Sequence, residues 1–164
     1  MIVLSEGANA VDILRCLRTD AAPAAIRASQ NLERYDMTEE ILVKRDGVIM
    51  TLTLNRPEKF NALTFGMYSR LGEICEGVAR DGTVRAIVLT GAGTKAFAAG
   101  TDIAQFRDFK SEQDGIAYEA RLDQILSTIE RCAIPTIAAI AGACTGGGAA
   151  IAACCDMRIA TRDA

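Results

Sequence analysis

The stretch AIVLTGAGTKAFAAGTDI, residues 86–103, decides the fold class. Its apolar start, RAIVLTG (85–91), predicts a buried strand that ends in glycine, and a glycine-bearing loop follows. In the closing FAAGTDI, Asp102 is the one side chain that could move a proton near neutral pH. We interpret Asp102 as the cap of a short helix rather than a catalytic acid, because Asp102 and Gln105 have capping-box spacing. Any chemistry in this loop is therefore expected from the backbone.

Strands and helices alternate on both sides of this stretch. Upstream, ILVKRDGVIMTLTLN (41–55) predicts two short strands around the turn Asp46–Gly47, and Thr64 is expected to cap a helix over about 65–80. Downstream, a longer helix is expected over about 115–131, between further strands. Both helices are predicted from apolar stripes at helical spacing: Leu71, Ile74, Cys75 and Val78 in the first, and Leu122, Ile125, Leu126 and Ile129 in the second. The alternation predicts an α/β protein.

Composition narrows the classes of function. The chain has 164 residues, half of them apolar, so one domain with a sizeable core is expected. A net charge of −3 argues against nucleic acid or membrane as a partner, and no apolar run is long enough to span a bilayer. Without histidine there is no Ser-His or Cys-His triad, and no metal site is expected. The six cysteines include no CxxC pair and are interpreted as reduced thiols of a cytoplasmic protein.

A second glycine-bearing turn, Gly142–Gly148, joins a predicted strand to a predicted helix. The first amides of a helix have no partner within it and carry partial positive charge. If the first glycine loop supplies a further amide, the two turns could form an oxyanion hole that stabilises a developing enolate. The alternative is that both turns only shape the chain, since such turns are usually structural. Neither turn fits a phosphate loop or a dinucleotide-binding fingerprint.

Three stretches, taken in order, resemble the enoyl-CoA hydratase/isomerase family, the crotonases: LTLNRPEKFNAL (52–63), AIVLTGAGTKAFAAGTDI (86–103) and PTIAAIAGACTGGGAAIAACCDMRIAT (135–161). The likeness covers about residues 41–164. It implies the crotonase spiral of ββα units and an acyl-CoA thioester as substrate. It also implies that no cofactor is bound permanently, since coenzyme A enters as part of the substrate, and that the protein assembles as a trimer or a pair of trimers.

The resemblance also assigns roles to individual residues. The thioester carbonyl would lie between two backbone amides, which match Thr101 and Gly147 in this sequence. The CoA part would lie along the two glycine turns and the KFNAL segment, at Lys59, Phe60, Ala62, Ala99, Gly100 and Gly146. Lys59 would approach the phosphates of CoA, with a solvated surface lysine as the alternative. The small side chains of FAAGTDI would let the thioester lie against the main chain.

At one position the sequence departs from the family's hydratases, which use two glutamates to hold and activate water. The first would stand three residues after Gly147, where this sequence has Ala150, and alanine can neither accept a proton nor hold water. The second would lie just beyond residue 164. Two functions therefore stay open. One is an enzyme that stabilises an enolate for isomerisation, C–C cleavage or hydration with another base; the other is a non-catalytic acyl-CoA-binding or truncated, inactive family member.

The chain is expected to divide at Met37, where MTEEILVKRDG reads like the start of a protein. Residues 37–164 are expected to form an incomplete crotonase-like domain, truncated at its C-terminus. Residues 1–36 are interpreted as an N-terminal extension. That extension is either the result of a mis-assigned start codon or a flexible arm that docks in an oligomer.

Overall fold

The computed structural model describes residues 2–4 and 39–164, which contain eight strands and three α-helices. In chain order they are β1 (Ile2–Leu4), β2 (Ile41–Asp46), β3 (Ile49–Leu54), α1 (Phe65–Asp81), β4 (Ala86–Gly91), β5 (Ala96–Ala98), α2 (Glu112–Glu130), β6 (Thr136–Ile140), β7 (Ala143–Cys144), α3 (Gly147–Cys154) and β8 (Met157–Thr161). Short 3-10 helices span Pro57–Lys59 and Ile103–Asp108.

Six of these strands form one sheet, and the other two form a second. The main sheet has the order β1-β8-β6-β4-β3-β2, while β5 pairs with β7. Among the described strands the β2–β3 hairpin is antiparallel and every other pair is parallel. The chain runs through three successive ββα units, β2-β3-α1, β4-β5-α2 and β6-β7-α3. The α/β class and the expected series of ββα units are confirmed.

The β2–β3 hairpin turns one residue later than predicted. Asp46 pairs with Ile49, so the two turn residues are Gly47 and Val48. Gly47 has a φ of 61°, and a two-residue hairpin loop with glycine at its first position requires a positive φ there. The prediction of the hairpin is right, and the register of its turn was wrong because Asp46 is still paired in the ladder.

Helix α1 covers one face of the main sheet. Leu71 and Cys75 of the helix line a small void together with Leu52 of β3 and with Ile87 and Leu89 of β4. Thr64 caps the helix as predicted, accepting a hydrogen bond from the Met67 amide over 3.1 Å. Seven residues of α1 are buried: Met67, Tyr68, Leu71, Gly72, Ile74, Cys75 and Val78. The predicted apolar stripe is therefore the buried face of the helix.

The sheet is buried on both faces, as parallel sheets usually are. Ile87 and Leu89 point to the side of α1, whereas Val88 between them joins a separate buried cluster with Ala139 and Ile159. This alternation follows the two-residue period of a strand. The apolar run of β4 is therefore a central strand with both faces in the core, as its sequence predicted.

Helix α2 starts three residues before its predicted beginning. Ser111 is its cap and accepts a hydrogen bond from the Asp114 amide, while the Asp114 carboxylate accepts from the Ser111 amide over 2.9 Å. This reciprocal capping box fixes the start of the helix ahead of the apolar stripe. The stripe itself predicted the position of α2 and its packing face, but not this first turn.

Most of the proposed N-terminal extension lies outside the described residues. Of residues 1–36, the structure describes Ile2–Leu4, which form β1 and pair in parallel with Ile159–Thr161 of β8. The division at Met37 and the flexible arm remain predictions. Five cysteines fall in the described part of the chain, and all five are free thiols: Cys75, Cys132, Cys144, Cys154 and Cys155.

Candidate active site at the two glycine turns

The two glycine-bearing turns meet side by side in the fold. β5 and β7 lie in parallel, and the Thr145 amide donates to the Ala98 carbonyl over 3.1 Å. Where the turns cross, a Cβ added at Gly146 would lie 3.4 Å from the Cα of Gly100. Gly100 has a φ of 104° and Gly146 a φ of 50°, which side chains rarely tolerate. Both glycines therefore serve the close approach of the two backbones.

Each turn has a backbone amide at the expected position that donates no hydrogen bond to the described residues. The amides of Gly148, Ala149 and Ala150 all donate within the turn that starts α3. Among the described residues, the amides of Thr101 and Gly147 donate no hydrogen bond. Gly147 is the first residue of α3, where the helix carries partial positive charge. The arrangement leaves two amide donors on adjacent backbones, at the two positions that the sequence resemblance assigned.

The segment after the first 3-10 helix is joined to the first glycine turn by main-chain hydrogen bonds. The Ala99 amide donates to Phe60, the Leu63 amide to Gly100, and the Asp102 amide to Leu63, over 2.8–3.0 Å. These bonds bypass the Thr101 amide, because its neighbours on either side take the contacts with Leu63. The segment thus fixes the position of Thr101 without occupying its amide.

The residues expected to contact CoA lie together at this junction. Phe60 and Ala99 are linked through their backbones, and Gly100 touches Gly146 across the two turns. Lys59 and Ala99 are exposed, Ala62 is half-buried, and the Phe60 side chain is 52% exposed. The structure therefore brings the six positions to one junction, where Gly100 is buried and Lys59, Phe60 and Ala99 are open to a ligand.

Asn61 holds the junction together from inside. It is fully buried, and its side-chain amide donates to the Ala92 and Ala96 carbonyls over 3.0 and 2.8 Å. Its side-chain oxygen accepts from the Arg56 amide over 3.1 Å. The Asn61 side chain is fully buried, so a hydrogen bond lost there would leave a costly unpaired group. Asn61 therefore positions the loop that carries the exposed Phe60.

Asp102 is a cap in the structure, as predicted, but without a capping box. Its carboxylate accepts from the Ala104 amide over 3.0 Å and forms a salt bridge with Arg56 over 2.9 Å. The hydrogen bond from Arg56, and then that from Ala104, lower the pKa of Asp102. Gln105 does not return a bond to Asp102, because its side-chain oxygen accepts from the Phe65 amide over 2.8 Å. A carboxylate held in its charged form by these partners is a poor proton donor.

Three hydroxyl groups line up beside the two amides. The Tyr68 hydroxyl lies 2.9 Å from Thr101 Oγ1, and Thr101 Oγ1 lies 3.2 Å from the Tyr118 hydroxyl. Gly147 is in contact with the same group, since a Cβ there would overlap the Tyr68 hydroxyl and lie 3.1 Å from Thr101 Oγ1. Burial raises the pKa of Tyr68, so its neutral form is favoured.

A cavity of ≈ 260 Å³ opens between α1 and α2 next to these hydroxyls. Aromatic and aliphatic side chains form most of its wall, among them Phe65, Phe109, Leu122 and Ile125 together with Tyr68 and Tyr118. Three charged residues, Asp108, Asp114 and Arg121, also line it. The rings of Phe65 and Tyr118 lie 5.0 Å apart, and Phe106 packs edge-on against Tyr118 at the same distance. An apolar cavity with a few converging polar groups is the usual form of a small-molecule site.

Sequence reasoning missed Asn61, Tyr68 and Tyr118. Tyr68 precedes the apolar stripe of α1 by three residues and would be assigned to the core from that spacing. The KFNAL segment was identified, but nothing in it distinguishes Asn61 from a surface turn residue. The signal that could have found the tyrosines is their placement on helices next to the glycine turns, since the sequence predicted both helices. Ala150, expected at the position of a family glutamate, is half-buried in α3.

No helix in the described part of the chain is long and apolar enough to cross a membrane.

Comparison with curated proteins identifies relatives that share about half their length with this chain. It is 32% identical over 161 residues to the mitochondrial Delta(3,5)-Delta(2,4)-dienoyl-CoA isomerase of Mus musculus, covering 92% of this chain and 49% of that protein. It is also 32% identical over 124 residues to the short-chain-enoyl-CoA hydratase of Clostridium acetobutylicum, covering 76% of this chain and 47% of that protein. The chain therefore spans about half the length of the curated relatives it matches.

Solved structures share the same fold. An enoyl-CoA hydratase/carnithine racemase from Magnetospirillum magneticum superposes with a TM-score of 0.72 at 40% identity, over 76% of this chain and 47% of that chain. An enoyl-CoA hydratase from Mycobacterium smegmatis gives a TM-score of 0.69 at 39% identity, over 76% and 48%. The crotonase-type fold is thereby confirmed. Because the enoyl-CoA hydratase/isomerase family model also matches residues 44–164, this chain belongs to the enoyl-CoA hydratase/isomerase family.

Proposed function

We propose that this protein binds an acyl-CoA thioester and stabilises its enolate with the backbone amides of Thr101 and Gly147. The observation that carries the proposal is the pair of unpartnered amides on two glycine turns in contact. Two donors aimed at one oxygen stabilise charge as it develops there, and they need no reorganisation during the reaction. Family membership supports the thioester as the source of that oxygen.

The CoA part of the ligand would lie at the junction of the turns. Phe60 and Ala99 are exposed there, beside the point where Gly100 and Gly146 bring the two backbones into contact. Lys59 is exposed at the end of the neighbouring 3-10 helix, and its ammonium group would pair with a phosphate. Ala62 would border the same surface. The acyl chain would enter the cavity between α1 and α2, since most of its wall is aromatic and aliphatic and it adjoins Thr101 through Tyr118.

The reaction supported best is a rearrangement through the enolate, rather than hydration by a glutamate pair. Ala150 has no group that transfers a proton. Enolate stabilisation serves isomerisation and C–C cleavage as well as hydration, so losing one base redirects the chemistry without removing the binding site. The second candidate is a non-catalytic acyl-CoA-binding protein, which the same alanine favours. Assembly into trimers and a cytoplasmic location remain predictions from the sequence.

A titration with two matched ligands tests the binding site. Butyryl-CoA and its thioether analogue S-butyl-CoA differ at the carbonyl oxygen that the amides would hold. Two hydrogen bonds contribute about 1–3 kcal/mol together, so the thioester is expected to bind roughly 5- to 150-fold more tightly by calorimetry. Equal affinities for the two ligands would remove the oxyanion hole from the proposal.

Two glycine variants provide the matched control. Gly147→Ala forces a methyl group into the Tyr68 hydroxyl and should abolish the preference for the thioester. Gly77→Ala, on the surface of α1 with open space around its Cβ, should retain it. A turnover assay with crotonyl-CoA and 3-enoyl-CoA then separates the two candidates: turnover indicates the enzyme, and thioester-selective binding without turnover indicates the non-catalytic protein.

A further inference from the structure

We propose that the Tyr68 hydroxyl is the proton donor to the α-carbon of the enolate, and that Thr101 and Tyr118 resupply its proton. This inference rests on the proposed function, because it needs a thioester held at the Thr101 and Gly147 amides. It assigns catalysis to a side chain that neither the sequence pattern nor the glutamate positions of the family indicate.

The Tyr68 hydroxyl lies next to the two amides that would hold the thioester oxygen. Its hydroxyl lies directly over Gly147, where any side chain would overlap it. An oxygen bound at the Gly147 amide would have the thioester's α-carbon two bonds away, within reach of a group in contact with that glycine. Tyr68 itself is 2% exposed, so the surrounding core holds its ring in place. A donor must first be within hydrogen-bond reach of the atom it protonates.

The other side chains named near the two amides are poor proton donors. Ala150 offers no proton, and Asp102 points its carboxylate at Arg56 and Ala104 rather than toward Tyr68. In the described part of the chain, no carboxylate is hydrogen-bonded to Tyr68, Thr101 or Tyr118. Burial keeps Tyr68 protonated, which is the form a proton donor needs.

The row of hydroxyls supplies the path for the proton. Tyr68 gives its O–H proton to the α-carbon; a C–H bond forms from the enolate electron pair, and the phenolate remains. Thr101 then donates its hydroxyl proton to that phenolate over 2.9 Å, and Tyr118 donates to Thr101 over 3.2 Å. Tyr118 is half-buried and lines the cavity, so it regains a proton from water there. Each hydroxyl gives one proton and accepts one, and the net consumption is one proton from solvent.

The test is exchange of the α-hydrogens of butyryl-CoA with solvent deuterium, followed by mass spectrometry on the purified full-length protein. Exchange runs the proposed step in both directions. The relay first carries the Tyr68 proton to solvent, and the phenolate then takes the α-proton to form the enolate. After exchange of that proton with deuterium through Thr101 and Tyr118, the Tyr68 hydroxyl returns a deuteron to the α-carbon. Tyr68→Phe removes one oxygen and should slow exchange by about 10²–10⁴-fold, the usual contribution of a positioned acid or base. Calorimetry on the same sample should show that butyryl-CoA still binds.

Two variants at Thr101 separate a relay from a structural role. Thr101→Val keeps the shape of the side chain and removes its hydroxyl, so exchange should fall while binding remains. Thr101→Ser keeps the hydroxyl and should restore exchange. Thr128→Val, on α2 away from the three hydroxyls, is the control for placing valine at a threonine position. Tyr118→Phe should slow exchange less than Tyr68→Phe, because water in the cavity can replace the last donor.

The possible results distinguish a failure of this inference from a failure of the proposed function. If butyryl-CoA binds but Tyr68→Phe exchanges as fast as the parent protein, Tyr68 is not the donor and the binding site still stands. If the parent binds without exchange, or if Thr101→Val and Thr101→Ser behave alike, the relay is wrong. If the parent does not bind butyryl-CoA at all, the proposed function fails and the inference fails with it.

Discussion

Helices α1 and α2 have nearly the same sequence pattern and very different environments. Each has four apolar residues at the same helical spacing, and each starts with a capping box. In α1 seven residues are buried, whereas in α2 only Ile129 is. Ile116 of α2 is 52% exposed. The same stripe therefore makes a core helix in one place and a covering helix in the other.

The difference follows from the order of the layers. α1 packs directly on the sheet, and α2 packs on α1, where Ile125 lies 3.7 Å from the position of a Cβ on Gly72. A residue between two packed layers loses its contact with water on both sides, while a residue in the outer layer loses it on one. The cavity with the tyrosine hydroxyls lies between these two helices, so the boundary between them is where a ligand could enter.

Shortening one leucine in the apolar stripe of each helix should give the largest difference in the free energy of unfolding. Leu71 of α1 is 1% exposed, so Leu71→Ala is expected to lower the free energy of unfolding by about 2–5 kcal/mol through lost burial and a cavity. Leu122 of α2 is half-buried, and Leu122→Ala should cost about 1 kcal/mol. Urea unfolding measures both. Equal losses would mean that α2 is covered as fully as α1.

The contact between the helices can be tested at Gly72. Gly72→Leu would overpack the contact with Ile125 and should destabilise the protein by about 1–3 kcal/mol. Gly72→Ala adds one methyl group at an ordinary contact distance and should gain up to about 1 kcal/mol from helix propensity. Gly77→Ala, with open space around it, controls for propensity alone. If Gly72→Leu were neutral in thermal unfolding, α2 would not be packed on α1 as described.

Removing the N-terminal cap of α1, the helix that packs on the sheet, should have a moderate effect on the free energy of unfolding. Thr64→Ala removes the acceptor for the Met67 amide and should cost about 1 kcal/mol, while Thr64→Ser should retain most of that stability. Denaturant midpoints of the two variants provide the measurement. Equal destabilisation by alanine and serine would point to the methyl group of Thr64 rather than its cap.

The stability that the N-terminal cap of α2 contributes should depend on pH. This is the smallest of the expected effects. Hydrogen bonds from the Lys110 amide and then from Ser111 lower the pKa of Asp114 in the folded state. A lowered folded-state pKa contributes stability above the unfolded value of about 4, and this stability is lost as pH falls through the folded value. Amide hydrogen exchange should therefore show the first turn of α2 opening in acid.

Asp114→Asn is the matched variant for this prediction, since it keeps the shape of the cap and removes the titration. In this variant, amide exchange in the first turn of α2 should not speed up through titration of residue 114 as the pH falls from neutral to acid. The first turn of α1, which is capped by the uncharged hydroxyl of Thr64, provides the internal reference. Identical acid profiles for the parent and the variant would contradict the role of Asp114.

The glycine turns could be predicted further than the side chains around them. Glycine where two backbones must touch leaves a direct signal in the sequence, and Thr101 and Gly147 followed from that signal together with the family resemblance. Tyr68, Thr101 and Tyr118 come from three separate segments of the chain, and no local pattern brings both tyrosine hydroxyls within 3.2 Å of Thr101 Oγ1. Asn61 was missed for the same reason, because its partners Ala92 and Ala96 are distant in sequence.

By itself, the sequence determined the α/β class, the series of elements, the faces of the helices and the caps at Thr64 and Asp102. These features depend on residues within a few positions of each other, so local spacing records them. Only the tertiary structure decided which stripe became core, where the hairpin turned, and which hydroxyls surround the two free amides. Those features depend on contacts between distant segments, and burial and hydrogen bonding there are set by the packing of whole layers.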